Sequence, residues 1–420
     1  NDGYNAGGDL LLRHRFEKQR RTLSVNINTN LNGRTGDNTL KAINEFNDRV
    51  YSVDSIDQIS NIPDGGYTIG GNVSYTEPVG QQGMLQFNYR LNYRDSYSDK
   101  RTWNYNESLA GYVDLDTALS NEFQNGYLTN SGGLNYRMGN RQKMLMAGVS
   151  YQVADLQSDQ LFPVESEVSK SFQNVLPNLM FRRQFSRSKT LMLFYRTSTN
   201  APSISQLQNV VDNSNPLLLS AGNPQLKQEY THQLVSRFSS NNVDKMSSFF
   251  VFLTLRNTQD KINNATFTTV RDTVISGVNI PSGVQLNTPV NIDGYWNART
   301  FVTYGFPVSP IKSNLNLNGG VTYTRSPGLS NQVSNISNNY ALNQSTVLAS
   351  NISTRLDFSL SYNATYNIVK NDIQPSLNSN YINLNSAAKL NWIIWKGIVL
   401  RTQLIHQRYE GLSDSFNQSY

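Results

Sequence analysis

Three histidines and no cysteine bound the chemistry open to this 420-residue chain. His14, His232 and His406 lie too far apart for a metal-binding motif such as His-Glu-x-x-His, and no thiolate is available. By strand parity each histidine falls on or near an apolar face, where a hydrogen-bonded structural imidazole is expected. Four carboxylates, Asp155, Asp159, Glu165 and Glu167, gather in one presumed loop. Oxygen ligands so grouped could hold calcium, but a solvated loop is the simpler reading. No Gly-x-Ser-x-Gly elbow or phosphate-cradling glycine loop is present. Neither an enzyme nor a bound cofactor is expected. The side chains with binding chemistry are arginines. Arg90, Arg94, Arg137, Arg196, Arg299 and Arg401 recur at polar positions, and guanidinium groups suit polar or anionic solutes.

Alternation must position them. In segment 355–368 the even positions are Leu356, Phe358, Leu360, Tyr362, Ala364, Tyr366 and Ile368, and the odd positions are all polar. Successive strand side chains point to opposite faces, so one face is apolar and the other polar. The run exceeds the ~5–6 residues usual in soluble sheets and the ~9–11 that a tilted strand needs to cross a bilayer. Segment 85–94 repeats the pattern, with Leu85, Phe87, Tyr89, Leu91 and Tyr93 against Gln86, Asn88, Arg90, Asn92 and Arg94. No apolar run approaches the ~20 residues of a membrane-crossing helix. The net charge of +6 is mild for this length and the bases form no stripe, so nucleic-acid binding is not expected.

About 16 such segments follow one another, joined alternately by short turns and by long polar stretches near 32–66, 95–126, 154–172, 200–225, 259–293, 326–343 and 370–380. Outer-membrane barrels have this asymmetry, with short turns at one rim and long loops at the other. A soluble sandwich has no reason for it. The expected fold is therefore all-β, an antiparallel transmembrane β-barrel in the outer membrane, with membrane lipid around it. Arginine placement is a separate check, because an arginine facing lipid costs about 2–4 kcal/mol at the midplane. The six arginines above, with Arg182, Arg237 and Arg355, share the polar parity. Arg183 and Arg325 break it and are expected at strand ends. Tyr93, Tyr304, Phe306, Trp392 and Trp395 are expected in interfacial aromatic girdles.

The most distinctive residues lie between 197 and 231. They read Ala201-Pro202-Ser203-Ile204-Ser205-Gln206-Leu207, then Asn215-Pro216, then Gly222-Asn223-Pro224-Gln225-Leu226-Lys227-Gln228-Glu229. This segment resembles the loop and following strand in barrels of TonB-dependent receptors. The likeness is to the outer-membrane β-barrel family of such receptor-like proteins in Gram-negative bacteria. That family's pattern reads Gly-Asn-Pro-x-Leu-Lys-Pro-Glu, and Gln228 stands where it has its second proline. The ending Tyr409-Glu410-Gly411 is similar too. Pro202, Pro216 and Pro224 are expected to stiffen a long loop rather than to touch a ligand.

The resemblance implies a 22-stranded barrel, an N-terminal plug domain and a segment that contacts a TonB-type energy-coupling protein. Residues 1–420 then read as a partial barrel domain, without plug or final strands, and with a polar loop over 411–420. The function expected is import of a large or scarce solute, its identity unknown, through a TonB-dependent-receptor-like transporter. A passive porin-like channel, or a surface barrel that binds a partner through its long loops, are the alternatives.

Overall fold

Each alternating segment forms a strand hydrogen-bonded to its sequence neighbour, because short turns return the chain antiparallel and a common parity keeps apolar side chains together. The computed structural model describes residues 2–47, 51–117, 119–207, 211–212, 215, 218–268, 270–275, 278–280, 282–350, 353–373 and 375–411. Among these, sixteen long strands make the wall. They are β1 (Asp2–Arg15), β2 (Thr22–Thr35), β3 (Asp64–Val79), β4 (Gly83–Asn106), β5 (Asn121–Gly139), β6 (Lys143–Phe162), β7 (Ser166–Ser186) and β8 (Lys189–Asn200). There follow β9 (Glu229–Asn242), β10 (Ser247–Gln259), β11 (Tyr295–Val308), β12 (Ser313–Ser330), β13 (Val333–Ser350), β14 (Leu356–Asn371), β15 (Ser379–Trp395) and β16 (Ile398–Glu410). Every wall strand pairs antiparallel with the next. Among the described residues no ladder joins β1 to β16, so each presents an unpaired edge. Of the polar ending expected over 411–420, all but Gly411 lies outside the described residues.

Register keeps the faces pure. Leu360 lies opposite Ala388 and Leu348, and Tyr366 opposite Ile382 and Leu342. On the other face Asn363 meets Asn385 and Ser345. The apolar face carries two aromatic rows. Near the short turns Phe238, Phe249, Tyr304 and Phe306 follow one another at 5.1–6.4 Å between ring centres. Tyr75 and Phe87 belong to the same rim. Near the long connections Tyr67 meets Tyr93 at 6.0 Å and Tyr323 meets Tyr340 at 4.9 Å. Tyr67 and Tyr75 stand eight residues apart on β3, about 26 Å along the strand. That is the order of the roughly 25 Å apolar band of an outer-membrane barrel. At the turns, Gly139 has φ +105°, and a Cβ there would overlap the Lys143 carbonyl oxygen.

Four of the long polar stretches are not loops. β6 and β7 continue their ladder to Gln160 opposite Ser166, so 154–172 is a tall hairpin. β12 and β13 run on to Ser330 opposite Val333, which makes 326–343 another. In 32–66, Asp37–Asn47 and Tyr51–Asn61 form a hairpin whose second arm pairs with 101–104 of β4. Within 95–126, β4 extends to Asn106 and pairs again with Gly111–Leu115. The reason is physical. Alternation records contact with lipid, so it stops where a strand leaves the hydrocarbon, while backbone pairing continues. Arg325 is accordingly not at a strand end. It sits inside β12 and donates to the Gly294 carbonyl at 2.6 Å, above the apolar band. Arg183 does lie near the end of β7, its guanidinium 5.5 Å from the Phe185 ring.

A second layer stands over the long-connection end. Lys261–Thr268 pairs with Gln285–Ile292, and Leu218–Ala221 adds in parallel to the latter. Leu219, Ala221, Val284 and Leu286 form its buried core, with Phe267 against them.

Two expected outcomes follow. Spin labels at 360 and 362 in bilayers should report lipid, and labels at 361 and 363 water. Uniform water access would contradict the wall described. In the outer hairpin, Asp57 accepts from the Tyr112 hydroxyl at 2.7 Å and pairs with Lys41 at 3.0 Å. The Tyr112 bond, then the Lys41 bond, hold its carboxyl below the ordinary value of 3.8. A depressed carboxylate stabilises above its unfolded pKa, and that contribution disappears as pH falls through the folded value. The protection of amides in 51–61, measured against their intrinsic exchange at each pH, should therefore be high at neutral pH and fall below about pH 4. Tyr112→Phe should shift that loss of protection to higher pH.

Candidate functional site

The motif-bearing connection between β8 and β9 folds inward, because its two leucines find an apolar floor on the polar side of the wall. Leu207 and Leu226 are fully buried against Leu156 and Ile262, with Tyr127, Val168 and Phe172 at the margin. Pro202 is buried where the chain leaves β8. It precedes the single-turn helix Ile204–Leu207, at whose start the Gln206 side chain accepts from the Ser203 amide at 2.9 Å. The Asn223 amide donates to the Gln206 carbonyl at 2.6 Å, closing the connection on itself. The Asn223 side chain reaches the Pro289 carbonyl at 3.1 Å and accepts from the Gln225 amide at 2.9 Å, across Pro224. Lys227 exchanges hydrogen bonds with the Asn291 side chain.

Glu229 closes the arrangement. It is buried, pairs with Lys261 at 2.7 Å, and accepts from the Ile262 amide at 2.9 Å and Asn200 at 3.4 Å. Gln228 is also buried, donating to the Tyr127 hydroxyl at 3.1 Å and accepting from Asn174 at 2.7 Å. A proline there could make neither bond. Asn215 accepts from the Leu218 amide through its carbonyl, and Gly222 lies in the stretch before Asn223. Pro216 lies outside the described residues.

Between this connection and the wall is a cavity of about 570 Å³, lined by Arg94, Asn125, Tyr127, Gln152, Thr199 and Gln206 among others. Arg94 lies directly opposite Tyr127, and Tyr127 opposite Leu156, so one row of the wall supplies its floor. Among the described residues the buried Asn125 side-chain oxygen has no hydrogen-bond partner. The cavity thus combines a guanidinium, amide groups and hydroxyls.

Lower in the wall, the same face is not only polar. One row runs Arg137, Met146, Met180, Phe194, Val235, Thr254 and Arg299 across β5 to β11. The row beside it runs Met144, Arg182, Met192, Arg237, Phe252 and Phe301. Phe301 lies 5.1 Å from Phe252 and 5.7 Å from Phe250. Arg237 and Arg299 stand 5.6 and 5.7 Å over the Phe252 and Phe301 rings. Among the described residues, Arg137, Arg182, Arg237 and Arg299 make no ion pair, and the Arg182 Nε has no partner. This belt departs from the wholly polar inner face that the alternation of segments such as 355–368 implies. The signal was there in runs apolar at both parities, Leu191–Tyr195 and Phe249–Leu253.

The six candidate arginines share the expected face but do not converge. Arg94 lines the upper cavity, Arg137 and Arg299 belong to the belt, and Arg90 faces Asn72 and Ser131. Arg196 bonds Gln233 at 2.8 Å, and Arg401 bonds Asn391 at 3.3 Å. His232 takes the expected structural part, 2.8 Å from the Tyr195 hydroxyl. Asp155 and Asp159 are spread along β6, and Glu167 lies opposite Asp159. Among the described residues no group of three His, Asp or Glu could hold a metal.

The pattern of the outer membrane protein beta-barrel family matches residues 14–396. No curated protein matches the sequence. The fold is similar to that of the copper transporter OprC, with a TM-score of 0.54 and 11% identity over 93% of this chain and 61% of that one. It is similar to the ferric citrate transporter FecA, at 0.51 and 8% over 93% and 58%. BauA, the ferric preacinetobactin receptor from Acinetobacter baumannii, gives 0.50 and 10% over 97% and 58%. The chain spans about three fifths of the length of each. At such identity the likeness is one of fold, and at that level the resemblance to receptor barrels holds.

If the motif is a structural latch, Leu207→Ala should destabilise the wall by about 2–5 kcal/mol. Glu229→Ala, which leaves Lys261 and the Ile262 amide unpaired, should cost about 3 kcal/mol. Urea denaturation in detergent or bilayers measures both. Unchanged midpoints would show that the motif does not hold the fold.

Proposed function

This chain belongs to the outer membrane protein beta-barrel family, and on that premise we propose that it is the wall of a receptor-type transporter closed by a plug. The observation that carries this reading is the inner belt. A water-filled porin lumen gains nothing from wetting Met146, Met180, Phe194, Phe252 and Phe301. Covered by a folded plug, each such side chain contributes about 1.5–3 kcal/mol. The belt's arginines, which have no carboxylate partner among the described residues, suit acidic residues on that plug. Passive conduction, the porin alternative, leaves both features without a purpose.

The solute class follows from the upper cavity. Arg94, the amides of Asn125 and Gln152 and the Tyr127 hydroxyl suit a polar or anionic solute, with Arg94 as its charge anchor. Import against a gradient through a plugged wall needs an energy source, which a TonB-type coupling protein would supply through the plug.

Planar-bilayer recording of the intact protein provides the test. Wild type should show little steady conductance. Phe252→Ser with Phe301→Ser should loosen the plug and raise conductance at least about tenfold, since about 3 kcal/mol or more of apolar burial is lost. A large open conductance in wild type would overturn the plugged reading and favour the porin.

A further inference from the structure

The eight short turns, each taken with two flanking residues on either side, hold 12 of the 36 lysines and arginines but only 3 of the 30 acids. This rim therefore carries +9 in a chain whose net charge is +6, and everything else sums to −3. Most of this charge is displayed rather than neutralised. Lys18 and Arg21 share Glu77, just outside the rim, at 2.5 and 2.7 Å. Arg20 spends its hydrogen bonds on the Gln81 and Gly83 carbonyls, which leave its charge intact. The eight bases in the turns beyond residue 139 make no ion pair among the described residues.

A second observation says what this surface meets. Three turns set a lysine near exposed apolar side chains: Lys245, which follows Asp244, within the run Val243–Met246, Lys312 after Ile311, and Lys396 after Trp395. Val243, Met246 and Trp395 are 82%, 73% and 74% exposed. Just inside the rim runs the aromatic row of Phe238, Phe249, Tyr304 and Phe306 on the apolar face. Aromatic rings at that level mark the headgroup boundary of a bilayer. Apolar tips that enter the acyl margin and ammonium groups that snorkel back to phosphate level suit one environment, a leaflet with anionic headgroups. An acidic protein partner would meet the charges but would not explain apolar tips distributed around the wall.

We propose that the short-turn rim is a cationic collar that selects anionic phospholipid headgroups in the leaflet it faces. The collar is independent of the plugged reading, since it lies on the outer margin of the wall and uses none of the belt residues.

The test is lipid selectivity of the full chain in bilayers, read from spin-labelled phosphatidylglycerol and phosphatidylcholine at the protein boundary. Wild type should prefer phosphatidylglycerol by about threefold or more, and 1 M salt should weaken that preference. Lys245→Gln, Lys312→Gln and Lys396→Gln together, which leave nine of the twelve bases, should lower the ratio well below that of wild type, while heat-dependent gel mobility confirms a folded wall. As a second variant, Arg187→Gln with Lys189→Gln should give a ratio between the two. Absence of any preference in wild type would overturn the proposal. So would a preference that both variants retain undiminished, because the selecting charges would then lie elsewhere.

Discussion

Hydrocarbon offers no water to an amide or a carbonyl, and each such group left unpaired there costs several kcal/mol. The succession of ladders that pairs each wall strand with the next answers that constraint everywhere but at the two edges, and the rest of the structure depends on it. Because side chains alternate with a period of two, sliding one strand by a single residue would turn every guanidinium on it towards lipid. Arg90, midway along the membrane-crossing part of β4, would then cost about 2–4 kcal/mol, and Arg94, level with the upper aromatic row, less. Arginines on the inner face therefore fix register as firmly as leucines on the outer one. Once register is fixed, the rows of the inner wall follow without further freedom.

How much of this could be read in advance varied along the chain, for physical reasons. Residues 356–368 sit in lipid on one face and water on the other, so their alternation was complete and the strand was legible. Above the bilayer both faces are wet, alternation has no cause, and residues such as those of the β12–β13 tip resembled loop while remaining paired. The belt was hidden by the opposite effect. Where the inner face is also apolar, Leu191–Tyr195 presents no contrast, and only cross-strand register assigns Met192 and Phe194 to one side.

The motif around Gln206 and Glu229 shows how a recognisable string can be structural. Its leucines fill a core and its carboxylate holds Lys261 and a strand amide, so these residues are occupied with the protein itself. What they leave open is the polar space beside them. That space is lined, beside Gln206 itself, by polar groups of the wall, Arg94, Asn125 and Gln152, which belong to no motif and which only three-dimensional adjacency brings together. Among the sequence-selected arginines Arg94 alone shares a cavity with the motif segment, since the others are distributed around and along the wall.

The height of the strands has a consequence for encounter. β4 alone runs 24 residues, against the ~9–11 a tilted strand needs to cross the bilayer. Much of the outer surface is therefore a hydrogen-bonded lattice standing clear of the membrane. A solute or macromolecule arriving there meets groups whose positions are already set, so little ordering entropy opposes capture. The same stiffness carries a penalty in breadth. A surface built of paired strands discriminates by shape from the first contact.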